Sequence, residues 1–477
     1  MQSIVTPEYM QKKELDAFKN GLSPLDAMAK AGAYIFEEAK KFNNVLIVAG
    51  CGNNGGDGFR CAQLLNEANI KTDILVVGDI NKLSEHSRYF YNLVGDLIID
   101  TPNDNYDCIV DALFGIGFRG ELKGDFLKAV DLINSFRNKA FIIAVDIPSG
   151  LNGLTGEGKT SVQADLTVTF QAKKIGHIIN NGADKVGNLI VKDIGIPLDA
   201  DLKEPSLEDI RACLPQIKNT AHKGTLGHIG IVAGSLGMEG AAVLASESAI
   251  KMGAGKVTLA VEKDIIGSFC CRAPEIMVTD RHNLKDFILD KNVILFGSGI
   301  GRSKDNLSIL NTLLENCTCP LVIDADGLYF LTKEMLKKAK CPVILTPHLK
   351  EACRLFDCDI DDVVCHPLEK TQEFLQGTSA AIILKSNYNI LTDGNFAYIT
   401  AFGCCGMATA GSGDVLAGIV SGAINLTKSI EKGCLLASYI HGFAGRQAQK
   451  EKTAYAMTAS DIKDNIYTAF KSLKGSY

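Results

Sequence analysis

Two glycine-rich stretches carry the residues best suited to chemistry. They are Gly50-Cys51-Gly52-Asn53-Asn54-Gly55-Gly56-Asp57-Gly58 and Gly411-Ser412-Gly413-Asp414, at opposite ends of a 477-residue chain. Each joins a strand-like run to a helical one, so each would aim backbone N–H groups and a carboxylate at one spot, a setting suited to phosphate. Asp414 could accept a hydroxyl proton while that oxygen attacks a phosphoryl group. Two further segments, Asp111-Ala112-Leu113-Phe114-Gly115-Ile116-Gly117 and Val145-Asp146-Ile147-Pro148-Ser149-Gly150, accompany the first loop. Asn54, Asp111 and Ser149 offer oxygen ligands to a hard cation.

The first loop also satisfies G-x-G-x-x-G, with Asp79 ending the next strand, which keeps an ordinary nicotinamide-dependent dehydrogenase as a rival. Against that rival, Asp57 would set a negative charge beside a pyrophosphate.

The elements around these loops alternate. Ser23 caps an expected helix entered through Pro24, whose apolar stripe runs through Leu25, Met28, Ala29, Ile35, Phe36 and Ala39, with Gly32 on the same face. Strands are expected at 45–49, 74–77, 97–99, 108–110, 141–145 and 166–170, and helices after Asp57, at 84–93 and at 125–137. Such alternation implies a parallel sheet covered on both faces, with ligands past the carboxyl ends of its strands. The pattern pauses at Ile194-Gly195-Ile196-Pro197 and the polar residues 198–208, then resumes at Ile229. Strands are expected again at 229–233, 257–261, 293–296, 321–323, 343–345 and 382–384. The boundary falls near 200–210, giving domains of 1–204 and 205–477.

Length allows two or three domains, at roughly 100–200 residues each. Apolar content of 46% and charged content of 22% are ordinary for a globular protein, and a net charge of −6 argues against binding nucleic acid through overall positive charge. No apolar run approaches the ~18–20 residues of a membrane span. The N-terminus has neither a basic start nor an apolar stretch, so the 15 cysteines are expected to be reduced and the protein cytoplasmic.

Gly-x-Gly-Asn-Asn-Gly-Gly-Asp-Gly, Asp-x-Leu-Phe-Gly and Val-Asp-Ile-Pro-Ser-Gly-Leu, in that order, resemble the NAD(P)H-hydrate epimerase family over roughly residues 1–200. The resemblance implies a Rossmann-like doubly wound sheet. It implies that the hydrated nucleotide is held by Asn53, Asn54, Gly55, Gly56 and Asp57 and by Gly115, Ile116, Gly117, Phe118, Arg119, Gly120 and Glu121. It implies potassium at Asn54, Asp111 and Ser149, and Asp146 facing the reacting ring, where it is the leading acid/base candidate. Thr167-Val168-Thr169-Phe170 matches a further family segment, but Lys173 replaces its proline and leaves the role of Lys174 open.

The second half, with the closing Gly411-Ser412-Gly413-Asp414, has the marks of a ribokinase-like α/β domain. His222-Lys223-Gly224-Thr225-Leu226-Gly227, Ala233-Gly234-Ser235, Gly240-Ala241-Ala242, Gly297-Ser298-Gly299-Ile300-Gly301, Asp324-Ala325-Asp326-Gly327-Leu328 and Thr346-Pro347-His348 resemble the ADP-dependent NAD(P)H-hydrate dehydratases as a set. This implies that Ala241, Gly299, His348 and Asp414 contact the hydrate. It implies that Lys385, Ser386, Asn387, Tyr388, Asn389 and Gly413 hold the adenine nucleotide. Two positions depart from the pattern: Lys385-Ser386 replaces Lys-Gly, and Leu349-Lys350 replaces Pro-Gly. His222 and His228 read as structural or solvent-facing, and Asp324 and Asp326 as supports of the fold at a strand end.

Together the halves imply a two-domain α/β enzyme that repairs NADHX and NADPHX. One half interconverts the epimers; the other uses ADP as co-substrate, with magnesium, to dehydrate the S form, Asp146 and Asp414 being the catalytic residues. No nucleic acid or membrane partner is expected, and a homo-oligomer is. A small-molecule kinase fused to a Rossmann-like domain and a nucleotide sensor remain rivals. Cys270-Cys271 and Cys404-Cys405 lack zinc-site spacing, and Cys353, Cys358, Cys365 and His366 are irregularly spaced for metal.

Overall fold

Apolar β-branched runs buried on both faces form the centre of each half, as a parallel sheet requires. The computed structural model describes residues 1–269 and 273–474; the Cys270-Cys271 pair lies outside them. The chain divides into two compact units, residues 3–201 and residues 202–477 with Met1 and Gln2.

Strands along the first 201 residues are β1 (Gln2–Val5), β2 (Asn44–Ala49), β3 (Lys71–Val76), β4 (Cys108–Ala112), β5 (Phe141–Val145), β6 (Leu166–Phe170), β7 (Lys173–Lys174) and β8 (Asn188–Lys192). Six of them make a sheet in the order β3-β2-β4-β5-β6-β8, every pair parallel. The order reverses between β2 and β4, so a crevice opens past their carboxyl ends. Short β1 pairs with β7.

The helix Pro24–Ala39 starts at Ser23, whose hydroxyl accepts the Asp26 N–H at 3.2 Å, a cap typically contributing about 1 kcal/mol. Gly32 lets it meet the helix Asn53–Glu67: a Cβ there would lie 2.5 Å from Arg60 Cβ. A second helix, Pro7–Lys19, precedes it, capped by Thr6. The expected strand at 97–99 is a 3-10 turn, Gly95–Leu97, followed by a single bridge from Ile98 to Ile74. The segment is too short to extend the ladder.

The second unit has β9 (Leu202–Glu204), β10 (His228–Val232), β11 (Lys256–Val261), β12 (Met277–Asp280), β13 (Val293–Phe296), β14 (Leu321–Ile323), β15 (Val343–Leu345), β16 (Ala380–Lys385), β17 (Asn389–Thr392) and β18 (Ala397–Thr400). Their order is β12-β11-β10-β13-β14-β15-β16-β17-β18-β9. β12 to β16 run parallel, and β17 is antiparallel to both neighbours. The helix Ser412–Thr427 is apolar almost all round and buried. It packs against the helix Glu239–Lys251 backbone to backbone: a Cβ on Gly418 would fall 2.1 Å from the Ala245 carbonyl oxygen. Overpacking such a contact costs about 1–3 kcal/mol, so the glycine fixes where Asp414, in the first turn, is presented. Among the described residues no helix is long and apolar enough to cross a membrane.

Candidate functional site

In the first unit the loops after β2, β4 and β5 surround a cavity of about 960 Å³. Gly52, Asn53, Asn54 and Asp57 line one wall, Leu113 to Arg119 another, and Asp146, Phe170 and Lys174 the floor. Gln11, Glu14 and Phe18, from the helix Pro7–Lys19, close the side. The sequence reading missed this helix, although Thr6-Pro7-Glu8 is a legible cap, proline and first-turn acid.

The glycines of the first loop divide by role. Gly52 has open space where a Cβ would be, at the N-cap of the helix Asn53–Glu67. Gly55, Gly56 and Gly58 do not line the cavity. A Cβ on them would strike the Gly50 carbonyl oxygen at 1.9 Å, Met28 Sδ at 2.5 Å and Ala112 Cβ at 2.8 Å. They let the helix sit tightly on the sheet. Gly120 and Glu121 also lie off the cavity; Glu121 pairs with Lys159 at 2.6 Å on the surface.

Asp146 is the centre of the site. It holds φ +64°, and the Ile147 N–H reaches back to the Val145 carbonyl at 2.8 Å, which makes Asp146 the middle of a strained γ-turn. That turn points the carboxylate away from the strand. Oδ1 accepts from Lys174 Nζ at 2.6 Å and from Thr169 Oγ1 at 2.9 Å. Lys174 is 1% exposed, and its ammonium also donates to Thr169 Oγ1 and the Phe170 carbonyl at 2.9 and 3.1 Å. The lysine left open by the sequence is therefore fully engaged, and Lys173 in place of proline has not displaced it.

His177 locks the pair. Its Nδ1 accepts the Lys174 N–H at 3.1 Å, and its Nε2 lies 2.9 Å from the Asp146 carbonyl, an acceptor only, so Nε2 carries the proton. Burial, helped by the Lys174 charge, pushes its pKa down to about 3.

The carboxyl groups here are held apart in pKa. Burial would raise Asp146, but the Lys174 charge and hydrogen bond outweigh it and hold the carboxyl below its usual range. Glu14, half-buried, is pushed up to about 7, by burial first and then by the Asp146 charge. Asp57 is raised well above its usual value by burial, with Asp146 and Glu14 adding repulsion. Burial thus works against the negative charge expected from Asp57 beside a pyrophosphate.

Asp111 and Ser149 are brought together. The Asp111 carboxylate accepts the Ser149 N–H at 2.8 Å and hydroxyl at 2.6 Å. Burial pushes Asp111 up to about 6 against those bonds. Asn54 donates to the Phe114 and Val145 carbonyls at 3.0 and 3.2 Å. A methyl placed on Gly115 would meet Asn54 Oδ1 at 3.2 Å and Asp146 Oδ2 at 3.4 Å, so these two oxygens converge on one point.

In the second unit the site gathers past β13 to β16. Asp324, 1% exposed, accepts from Thr346 Oγ1 at 2.7 Å and from Lys385 Nζ at 2.8 Å. It is thus more than a structural strand-end residue: it positions Lys385. Burial works against the Lys385 charge, but Asp324 and Glu351 outweigh it and raise the pKa. A Cβ on Gly413 would lie 3.4 Å from Lys385 Nζ. Asp414 is pushed up to about 6 by burial and the Asp324 charge. Gly299, at φ +60°, packs against Ala241, whose Cβ would be 2.8 Å from a Cβ there.

His348 caps the helix Leu349–Phe356: Nδ1 accepts the Lys350 and Glu351 N–H groups at 3.1 and 3.3 Å. Its side chain remains 53% exposed. Lys385 to Asn389 form the hairpin turn between β16 and β17. Ser386 keeps φ out of the left-handed region, so no glycine is required there. Tyr388 turns into the core at 1% exposure, leaving only its backbone for a ligand. His222 is exposed, and buried His228 is bound to Thr258 and Asp290. Among the described residues the cysteines form no disulfide, and no group of three or more His, Cys, Asp or Glu side chains is placed to hold a metal, Cys353, Cys358, Cys365 and His366 included.

Comparison with known proteins matches both units. The family described as NAD(P)H-hydrate dehydratase matches residues 229–468, and the one described as YjeF-related protein N-terminus matches 25–176. The bifunctional NAD(P)H-hydrate repair enzyme of Thermofilum pendens is 30% identical, covering 97% of this chain and 94% of its own. That of Moorella thermoacetica is 30% identical over 99% and 97%. The ADP/ATP-dependent NAD(P)H-hydrate dehydratase of Bacillus subtilis, co-crystallised with ATP and Mg2+, superposes with a TM-score of 0.53 at 26% identity, covering 56% of this chain and 97% of that one. On this evidence the chain belongs to the family of bifunctional NAD(P)H-hydrate repair enzymes.

Proposed function

We infer that this protein repairs hydrated NADH and NADPH, the first unit interconverting the epimers and the second dehydrating the S form with ADP to give NAD(P)H, AMP and phosphate. The observation that carries the first activity is the buried Asp146–Lys174 pair on the floor of the cavity at the switch point of the sheet. A carboxylate kept ionised by a lysine, facing a space large enough for a nicotinamide nucleotide, supports proton transfer at the hydrated carbon.

Potassium fits the first site. Asp111 is buried, and its hydrogen bonds come from Ser149 and Leu113, none of them cationic. With Ser149 and Asn54 it would hold a monovalent cation, which supplies positive charge near the bound substrate.

In the second unit, Asp414 takes the proton of the substrate hydroxyl as that oxygen bonds to the terminal phosphorus of ADP and AMP leaves. The phosphate ester then loses its C–O bond while the neighbouring ring carbon gives up a proton, restoring the double bond. Lys385, fixed by Asp324, offsets the phosphate charge. With no cluster of protein ligands placed for it among the described residues, magnesium would be carried mainly by the nucleotide phosphates, as is usual for that ion. The lack of disulfides among the described residues supports a cytoplasmic setting, and a homo-oligomer is the expected assembly.

The test is recovery of NADH absorbance from a mixed-epimer NADHX preparation with ADP, magnesium and potassium. Full recovery supports both activities. Recovery of the S fraction alone removes the first, and no recovery with ADP or ATP removes the reading altogether.

A further inference from the structure

A second group of charges stands on the same edge of the second sheet, apart from Asp324, Lys385 and Asp414. Arg302 follows β13, Tyr329 follows β14, and Arg354 lies on the helix after β15. Both guanidinium groups lie against one ring, Arg302 at 4.6 Å and Arg354 at 5.0 Å from the Tyr329 centroid. Tyr329 is 42% exposed, so the arrangement faces solvent.

One carboxylate is bonded to the first of the two cations. Asp326 accepts from Arg302 Nε at 2.9 Å and from the Gly301 N–H at 3.1 Å. Glu351, one turn before Arg354, is committed to the His348 N–H at 2.9 Å. The terminal nitrogens of Arg302 and every donor of Arg354 are left without a hydrogen-bond partner among the described residues. Burial pushes the Arg354 pKa down, with the Arg302 charge adding to it, although Glu351, Tyr329 and Asp326 pull the other way. Two planar donors, gathered on one ring and repelling each other, make a prepared seat for a phosphate, because guanidinium matches phosphate oxygens in pairs.

Position decides whose phosphate. The stack spans the ends of β13, β14 and β15, beside Gly299 and His348. The Lys385–Asn389 hairpin lies on the other side of β15 in the sheet order, between β16 and β17. We propose that Arg302 and Arg354, held on Tyr329, bind the phosphates of the hydrated dinucleotide in the second unit. This rests on the dehydratase reading above, with the hydrate at Gly299 and His348 and ADP at the hairpin.

The experiment is dehydration kinetics of the full chain with NADHX and with NADPHX, for Arg354→Gln, Arg302→Gln and the double variant. Hydrogen exchange in the presence of NADPH is followed at residues 326–329 and 349–356. Each single variant should raise KM for the hydrate about tenfold or more, the scale of one charge-assisted hydrogen bond. The kcat and the KM for ADP should stay within about twofold, the spread of surface substitutions. Arg354→Lys, which keeps the charge without the paired donors, should fall between. A larger loss with NADPHX assigns the seat to its ribose phosphate; equal losses assign it to the pyrophosphate. NADPH should slow exchange in both segments of the wild type and not in the double variant. Unchanged hydrate KM, or a rise confined to ADP, overturns the proposal. If the wild type dehydrates neither hydrate, the dehydratase reading fails, and the exchange measurement still decides whether the seat binds NADPH.

Discussion

Replacing Lys174 by methionine tests the first site most directly. The ammonium it removes makes three contacts in a place that is 1% exposed, and one of them neutralises Asp146. Breaking a buried pair from one side costs about 3–5 kcal/mol. The loss has a ceiling, because the stranded carboxyl can take a proton instead. With an unfolded pKa near 4 and about 1.4 kcal/mol per pH unit, that escape costs about 4 kcal/mol at pH 7.

The pH dependence follows from the direction of each shift. In the wild type Asp146 is depressed, so its contribution is present above pH ~4 and lost as pH falls through the folded value. In Lys174→Met the folded pKa lies above the unfolded one, so the penalty is absent below pH ~4 and grows with rising pH. The variant should therefore lose about 3–4 kcal/mol of local stability at pH 7 and about 1–2 kcal/mol at pH 5. The assay is hydrogen-exchange protection at residues 141–177 of the full chain, together with the double variant Asp146→Asn/Lys174→Met. The double variant should recover part of the loss, since no charge is left stranded. Equal losses at pH 5 and pH 7, or a double variant no better than the single, would refute the argument.

Asp414→Asn should abolish ADP-dependent NADH recovery while epimerisation, followed by the changing epimer ratio on chromatography, continues; loss of both would contradict independent sites. Glu14→Gln should remove an inflection near pH 7 from the epimerisation rate profile, because this carboxyl, pushed up to about 7, sheds its proton there as pH rises; an unchanged profile assigns that inflection elsewhere. Gly115→Ala puts a methyl 3.2 Å from Asn54 Oδ1 and 3.4 Å from Asp146 Oδ2. A displacement of a few tenths of an ångström there should slow epimerisation about tenfold and leave dehydration untouched; unaffected epimerisation would show that the two oxygens do not meet at the substrate.

The strands that position both sites were legible because parallel strands buried on both faces leave unbroken apolar runs. The expected 141–145, 166–170, 293–296, 321–323 and 343–345 coincide with strands. The hairpin of β17 and β18 and the edge strands β8 and β12 carry apolar runs too weak to mark them as strands. Three-dimensional pairing accounts for the rest. Glu14 comes from a helix whose apolar face is short, so nothing in its spacing pointed to the cavity. The sequence leaves Lys174 open because a neighbouring proline is replaced, yet its place is set by Thr169, Phe170 and Asp146, none of which depends on that proline. His348 and Asp324 show the limit from the other side. The histidine's imidazole caps a helix, and the aspartate that seemed to close a strand holds the lysine.

The left-handed turn at Asp146 also bears on how this protein could be altered by selection. A non-glycine residue in that conformation costs on the order of 1–3 kcal/mol, and the ion pair beneath it needs costly dehydration of two charges. Exchanging both together, Asp146→Gly with Lys174→Met, would relieve each cost at once and leave a quiet apolar floor. A library screened for heat resistance alone would therefore drift toward chains that melt later and no longer epimerise. Retention of the aspartate and lysine in a stabilised variant would be evidence that selection had been acting on turnover.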